Sequence, residues 1–169
     1  MSVQIMPMLP HHLEGVQAVQ QSAYPSELWE STATLAQKQQ LSPKSCFIAI
    51  APTGDVVAYV FSHPWRRRAI PKLNTELPTL LDDADLLYIH DLAVHPAWHG
   101  QRIAQQLMQQ VQSAAQDLLL SDMALVAVQG AQSFWQRLAF VVDTEGCAML
   151  SANLQVYGTD AVYMVWSSQ

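Results

Sequence analysis

The stretch Leu92-Ala-Val-His-Pro-Ala-Trp-His-Gly-Gln-Arg-Ile-Ala-Gln-Gln-Leu-Met108 decides which fold this chain is expected to adopt. It begins as an apolar strand and turns at Gly100. It continues as a helix whose apolar stripe is Ile103, Leu107, Val111, Ala114 and Leu118. Unpaired N–H groups at the start of a helix bind anions, and acidic side chains are favourable in its first turn. No Asp or Glu occurs between His99 and Gln116, so we expect this turn to bind a phosphate group of a ligand.

The strand before the turn, residues 86–94, is apolar on both faces, which is typical of a strand inside a sheet. Side chains alternate along a regular strand. One face is therefore expected to hold Leu86, Tyr88, His90, Leu92 and Val94, and the other Leu87, Ile89, Asp91 and Ala93. The polar pair His90 and Asp91 stands out in these surroundings, and its two side chains are expected to point in opposite directions.

Six further strands and three further helices are predicted from apolar periodicity and from the positions of Pro and Gly. The strands are residues 3–6, 46–51, 56–61, 123–128, 140–142 and 161–166, and the helices are 11–24, 32–41 and 131–138. The longest irregular segment, residues 66–85, contains Pro71 and Pro78. A helix separates the fourth and fifth strands, so a crossover joins them. We predict an α/β (α+β) fold in one domain, residues 1–169, with a mixed, mostly antiparallel sheet of about seven strands flanked by about four helices.

Composition indicates one compact chain that does not bind nucleic acid or membranes. Half of the 169 residues are hydrophobic, which is enough for one core. The net charge of -6 argues against nucleic-acid binding, which needs clustered Lys and Arg. No stretch approaches the roughly 20 apolar residues that span a bilayer, and residues 1–7 lack the pattern of a secretory signal. We expect a cytoplasmic monomer or homodimer.

Three segments resemble those of the GNAT superfamily of N-acetyltransferases. The turn aligns with that family's acyl-CoA pyrophosphate loop, Q/R-x-x-G-x-G/A, as His99-Gly-Gln-Arg-Ile-Ala104. Residues 88–96 resemble the family's fourth strand, which splays to admit the thioester. Ser133-Phe-Trp-Gln-Arg-Leu-Ala-Phe140 resembles the family's F-Y-x-x-x-G-F segment. The order of strands and helices matches that family along nearly the whole chain.

A finer likeness is to the arylalkylamine (serotonin-type) N-acetyltransferases. It rests on Tyr24-Pro-Ser-Glu-Leu28, on Phe61-Ser-His-Pro-Trp65, and on the pair Tyr88 and His90. The resemblance implies an acetyl-CoA-dependent enzyme without a metal, acting on a primary amine of a small molecule. It implies that the cofactor is bound by Leu92, Ala93, Val94, His99, Gly100, Gln101, Arg102, Ile103, Ala104, Phe134 and Trp135.

Three positions depart from the family pattern. His99 stands where the loop usually has Gln or Arg, and Arg102 replaces a glycine that lets the backbone approach the pyrophosphate. Trp135 stands where many relatives place a tyrosine thought to protonate the leaving thiolate, and an indole cannot supply that proton at neutral pH. Arg102 and Trp135 therefore leave open a second interpretation, a catalytically silent acyl-CoA-binding sensor or partner module.

The family mechanism, direct attack of a neutral amine on the thioester, requires removal of a proton from an ammonium. This makes His90 the candidate base, because an imidazole can accept a proton near pH 7. Tyr88 is a candidate for a proton shuttle on the same strand. The candidates for binding the acceptor are His63, Trp65 and Asp91. An alternative acceptor is a protein or peptide.

A metal is not expected. His95 and His99 are four positions apart, a spacing that metal ligands can have, but Pro96 lies between them before the helix starts. The segment also contains no carboxylate that could complete a ligand set.

Overall fold

The computed structural model describes residues 2–77, 79 and 82–168, so three residues of the predicted 66–85 segment, Pro78, Leu80 and Leu81, lie outside the described residues. The strands are β1 (Gln4–Pro7), β2 (Phe47–Ile50), β3 (Val56–Trp65), β4 (Leu86–Val94), β5 (Asp122–Ala127), β6 (Val141–Val142) and β7 (Val162–Ser167). The helices are α1 (Leu13–Ala23), α2 (Thr32–Leu41), α3 (Ile103–Asp117), α4 (Gln132–Arg137), α5 (Thr144–Met149) and α6 (Ser151–Gln155). Within these ranges, no helix is long and apolar enough to cross a membrane.

The strands form one mixed sheet in the order β1-β2-β3-β4-β5-β7-β6, which confirms the predicted fold. β4 and β5 are parallel, and the other neighbouring pairs are antiparallel. α3 is the crossover between β4 and β5, because parallel neighbours cannot be joined by a tight hairpin. Two short helices, α5 and α6, are additional to the four predicted. α5 begins where the Asp143 side chain accepts a hydrogen bond from the Gly146 N–H.

A β-bulge at His90 interrupts the pairing of β3 with β4. Asp91 is paired with Phe61, whereas Ile89 is paired with Ser62, so His90 is an extra residue in the ladder. An extra residue shifts the alternation of side chains by one position for the rest of the strand.

The bulge corrects the predicted faces of β4. Leu92 and Val94 pack in the core cluster that contains α3, so the prediction that they share a face with His90 is wrong. His90 contacts the segment between α1 and α2, and Asp91 contacts Tyr59, which packs against α1. The expectation that His90 and Asp91 point in opposite directions is therefore also wrong, since both lie on the α1 face.

Helices cover both faces of the sheet. α3 buries the predicted apolar residues Ile103, Leu107, Val111 and Ala114 against one face. Leu118 is not part of this stripe, because α3 ends at Asp117 and Leu118 is 36% exposed. α1 buries Leu13, Val16 and Val19 against the opposite face. Full burial of each such aliphatic side chain contributes roughly 1.5–3 kcal/mol, so these two layers hold β4 in place.

Residues 66–77, which we call the strap, follow β3 and are hydrogen-bonded to helical segments at both ends. Near its start, Arg68 Nε donates to Asp143 Oδ2 at 2.8 Å. At its end, the Leu77 N–H donates to Gln37 Oε1 at 2.9 Å, and Gln37 Nε2 donates back to the Leu77 carbonyl at 2.7 Å. The strap is thus attached to the start of α5 at one end and to α2 at the other.

Candidate active site

A cavity of about 620 Å³ opens between β4 and β5. The two strands are paired only as far as Ile89 and Leu125, although β4 continues to Val94 and β5 to Ala127. Beyond the last pair the strands diverge, and residues of both line the cavity. This divergence agrees with the splayed fourth strand that the resemblance implies.

Most residues predicted to bind the cofactor lie on the cavity wall. They are Leu92, Ala93 and Val94 of β4, His99, Gly100, Arg102, Ile103 and Ala104 of the turn into α3, and Phe134 and Trp135 of α4. Gln101 is exposed and does not line the cavity. The predicted phosphate-binding turn and the diverging strand therefore line one continuous space.

The turn into α3 contains two residues with left-handed backbone. Gly100 has φ of 79°, and Arg102, the residue before the helix, has φ of 58°. This conformation costs a residue with a Cβ roughly 1–2 kcal/mol, whereas glycine adopts it freely. The geometry explains why the family pattern has glycine at the position of Arg102. Residues 103–106 include no acidic side chain, so the N–H groups of the first turn are available to an anion.

The two histidines of this turn bond to the backbone. The Ala97 N–H donates to His95 Nδ1 at 3.1 Å, and His99 Nε2 lies 3.0 Å from the Val94 carbonyl oxygen. His99, which replaces the usual Gln or Arg, thus ties the loop to the end of β4. In the part of the chain that the structure describes, no three His, Cys, Asp or Glu side chains are grouped to hold a metal ion.

Trp135 is both a core residue and part of the cavity wall. It is 7% exposed, and its ring meets those of Phe134 and Phe140 edge to face, with centroids 5.0 and 5.4 Å apart. Such aromatic pairs stabilise a core beyond the area that they bury. Because the indole N–H does not ionise near neutral pH, this arrangement supports packing and not acid catalysis.

His90 lies in a buried charge network with Glu30 and Lys38. His90 Nε2 is 2.6 Å from Glu30 Oε1, and Lys38 Nζ donates to Glu30 Oε2 at 2.7 Å. The three side chains are at most 2% exposed. Burial by itself would raise the pKa of the Glu30 carboxyl, but His90 and Lys38 outweigh burial and hold that pKa at about 2. Glu30 is therefore an anion at neutral pH.

Asp91 belongs to a separate hydrogen-bonded group. Tyr59 Oη donates to Asp91 Oδ2 at 2.6 Å, and nearby Tyr24 Oη donates to the Leu92 carbonyl at 2.8 Å. Burial raises the pKa of the Asp91 carboxyl to about 6, although the Tyr59 hydroxyl and His90 act in the opposite direction. Asp91 also lines the cavity, so this carboxyl lies close to the space that a ligand would occupy.

Tyr88 lies on the cavity wall, whereas His63 and Trp65 lie outside it. The His63 ring centroid is 5.7 Å from Tyr88, 6.1 Å from His90 and 5.2 Å from Trp65. Burial, assisted by His90, lowers the pKa of His63 to about 3, so this imidazole is neutral at pH 7. His63 and Trp65 therefore pack next to the wall residues Tyr88 and His90 without lining the cavity.

The wall also includes residues that sequence reasoning did not assign to the site, namely Tyr24, Leu28, Glu30, Leu73 and Tyr157. Tyr24 and Leu28 belong to the segment that resembles the arylalkylamine branch, so that likeness was a usable signal. No sequence pattern indicated a role for Glu30 in the site, because it is 60 residues from His90 in sequence. Tyr157 reaches the cavity from the loop after α6, and its hydroxyl donates to the Pro71 carbonyl at 2.8 Å.

A family model described as the acetyltransferase (GNAT) family matches residues 13–140. No curated protein is similar enough in sequence to count as a match. Among solved structures, the PaiA N-acetyltransferase from Thermoplasma acidophilum in complex with coenzyme A has 13% identity and a TM-score of 0.70, covering 99% of both chains.

Two further solved structures have the same fold. Naa20 from Chaetomium thermophilum, in complex with a bisubstrate analogue, has 15% identity and a TM-score of 0.69, over 98% of this chain and 87% of that one. The GphF GNAT-like decarboxylase, in complex with isobutyryl-CoA, has 16% identity and a TM-score of 0.74, over 97% of this chain and 98% of that one. At these identities the likeness concerns the fold alone.

Proposed function

This chain belongs to the acetyltransferase (GNAT) family, and from that premise we propose that it transfers an acetyl group from acetyl-CoA to a primary amine of a small molecule. The main support is one cavity that extends from the N-terminus of α3 to His90. Pyrophosphate bound at residues 99–104 would direct the pantetheine along residues 92–94. The thioester would then lie beside His90, where an amine can attack it.

The proposed reaction begins with an acceptor that arrives as an ammonium. His90 accepts one proton from it, and the lone pair of the resulting amine forms a C–N bond with the thioester carbon. The tetrahedral intermediate then breaks its C–S bond. The thiolate takes up the surplus proton of the acetylated nitrogen, which gives the amide and free CoA, and His90 returns its proton to solvent.

The acceptor end of the cavity supports a small, partly apolar amine. Its wall includes Tyr24, Leu28, Leu73 and Tyr157, and Asp91 is the neighbouring carboxyl that can attract an ammonium. The strap, which includes Leu73, is hydrogen-bonded to α2. An extended peptide would therefore need to displace the strap, whereas a small amine would not.

One experiment can distinguish two alternatives to this function. A peptide acceptor is suggested by fold likeness to Naa20, which was solved with a bisubstrate analogue. A silent acyl-CoA-binding module is suggested by Arg102 and Trp135. Cytoplasmic location and a monomeric or homodimeric state stay predictions.

The test is a turnover screen of acetyl-CoA against arylalkylamines, polyamines, amino acids and peptides. Free CoA and the acetylated product are both measured, the latter by mass, because the fold also occurs in a decarboxylase. We expect acetylated arylalkylamine, and a fall in kcat of about 10²- to 10⁴-fold for His90→Gln with unchanged CoA affinity. CoA binding without any acetylated product would identify a silent module, and preference for peptides would overturn the small-amine proposal.

A further inference from the structure

Glu30 is held by hydrogen bonds to both its backbone and its carboxylate. Its backbone exchanges two hydrogen bonds with the buried Gln20 side chain of α1: the Glu30 N–H donates to Gln20 Oε1, and Gln20 Nε2 donates to the Glu30 carbonyl, each at 3.0 Å. Its carboxylate accepts from Lys38 Nζ at 2.7 Å and from the Asn74 N–H of the strap at 2.8 Å, both at Oε2. Oε1 is left for His90, which lies 2.6 Å away.

This arrangement determines which nitrogen of His90 bears the proton. An ionised carboxylate can only accept hydrogen bonds, so His90 Nε2 must be the donor in its contact with Glu30. In a neutral imidazole, the other nitrogen then has the free lone pair. His90 Nδ1 is buried and has no hydrogen-bond partner among the described residues.

His90 shares the Glu30 carboxylate with a second cationic side chain, Lys38. Lys38 already neutralises Glu30 at 2.7 Å, and both side chains are at most 2% exposed. The other ionisable groups around His90 are Asp91 and Tyr88 on its own strand and His63 on β3.

We infer that Glu30 is a positioning residue that holds His90 in the Nε2–H tautomer, so that Nδ1 is the nitrogen with the free lone pair. Because Nδ1 is buried, it can accept the proton of the amine only after the bound acceptor displaces part of the surrounding wall. The inference deepens the proposed function and rests on it. Lys38 and Gln20 support this role indirectly, since each fixes Glu30 and neither contacts the reacting atoms.

Glu30→Gln tests the inference sharply, because Lys38 and the Asn74 N–H both require an acceptor. The amide oxygen should turn toward these two donors and place the amide NH₂ against His90. His90 would then have to accept at Nε2 and carry its proton on Nδ1. The readout is two-dimensional ¹H–¹⁵N NMR of protein labelled at histidine, which distinguishes the two tautomers without any substrate.

We expect the Nε2–H tautomer in the unmodified protein and the Nδ1–H tautomer in Glu30→Gln. With the best amine from the screen, kcat should fall about 10²- to 10⁴-fold, as expected for loss of a correctly placed base. CoA affinity should stay within about twofold.

Two further variants guard against a folding defect. Glu27→Gln removes an exposed carboxylate three positions away and should leave tautomer and rate unchanged. The double variant Glu30→Gln/Lys38→Met removes both buried charges, so no unpaired ammonium is left. Its kcat should fall as much as that of Glu30→Gln. A folded Glu30→Gln protein with the original tautomer and full kcat would overturn the inference, as would an Nδ1–H tautomer in the unmodified protein. If the protein does not transfer acetyl groups at all, the substrate screen shows this independently of the tautomer measurement.

Discussion

At the scale of single residues, the structure shows where two residues that depart from the family pattern lie. Arg102 occupies a left-handed backbone position on the cavity wall, and Trp135 is a core aromatic on the same wall. Neither residue blocks the cavity that joins the phosphate-binding turn to His90. The two departures from the family pattern therefore leave the cavity open.

Arg102 is expected to contribute its guanidinium to a phosphate of CoA. Arg102→Ala and Arg102→Gly should both weaken CoA binding, by about 3- to 10-fold at low salt and less at high salt. Arg102→Gly should also unfold at a higher temperature than Arg102→Ala, because only glycine adopts φ of 58° without strain. Calorimetric titration and thermal melts measure both effects, and tighter binding by the alanine variant would indicate crowding instead.

Trp135 is expected to act through packing. Trp135→Phe should keep kcat within roughly tenfold of the unmodified protein and reduce stability by about 1–2 kcal/mol, because it shrinks a ring that contacts Phe134 and Phe140. Steady-state kinetics and denaturant unfolding check the two values. A collapse of kcat with intact CoA affinity would show a direct role of the indole in the reaction.

At the scale of elements, the candidate site depends on two irregularities of β4 and, third, on the turn that follows this strand. The bulge places His90 and Asp91 on one face, and the divergence from β5 after Ile89 opens the cavity. The left-handed turn at Gly100 then brings the start of α3 to the same space. A regular strand followed by a regular loop would provide none of these three features.

The turn at Gly100 offers a test of phosphate binding with a matched control. A Cβ at Gly100 would meet no atom within 4 Å, and Asn and Asp are the residues that best tolerate φ of 79° after glycine. Gly100→Asp and Gly100→Asn therefore differ mainly in charge. We expect Gly100→Asp to weaken CoA binding more than tenfold relative to Gly100→Asn in calorimetric titration, because it places an anion at the proposed pyrophosphate site. Equal affinities would argue against the site.

At the scale of the whole molecule, two buried carboxyls give stability opposite dependences on pH. The pKa of Glu30 is held at about 2, so its contribution is present above the ordinary carboxyl range and is lost as pH falls toward 2. The pKa of Asp91 is raised to about 6, so its contribution is greatest at low pH and is lost as pH rises through 6. We expect maximal stability at mildly acidic pH.

Asp91→Asn should separate these two effects. The amide oxygen can still accept from Tyr59, but the cost of a buried charge disappears, so the variant should gain about 1–2 kcal/mol more at pH 8 than at pH 5. Urea unfolding at the two pH values measures the gain. Asp82→Asn, at an exposed position, serves as the control, and an equal gain there would mean that the effect comes from net charge.

The order of strands and helices, the mixed sheet and the turn at Gly100 before α3 were all predictable from the sequence. Each depends on local patterns, such as the helical stripe of residues 103–114, which neighbouring residues impose on one another. The two short helices α5 and α6 lacked such a pattern, because helices of five or six residues depend on tertiary contacts for their stability.

Only the tertiary structure decided how the candidate catalytic group is arranged. The bulge at His90 depends on the register of β4 with β3. Its one extra residue places Leu92 and Val94 on the opposite face of the sheet from the one predicted. The contact of His90 with Glu30 joins residues 60 positions apart and requires α1, α2 and β4 to be packed together. Periodicity reports which residues are buried, but it cannot report which buried residues meet, because that is determined by the packing of distant elements.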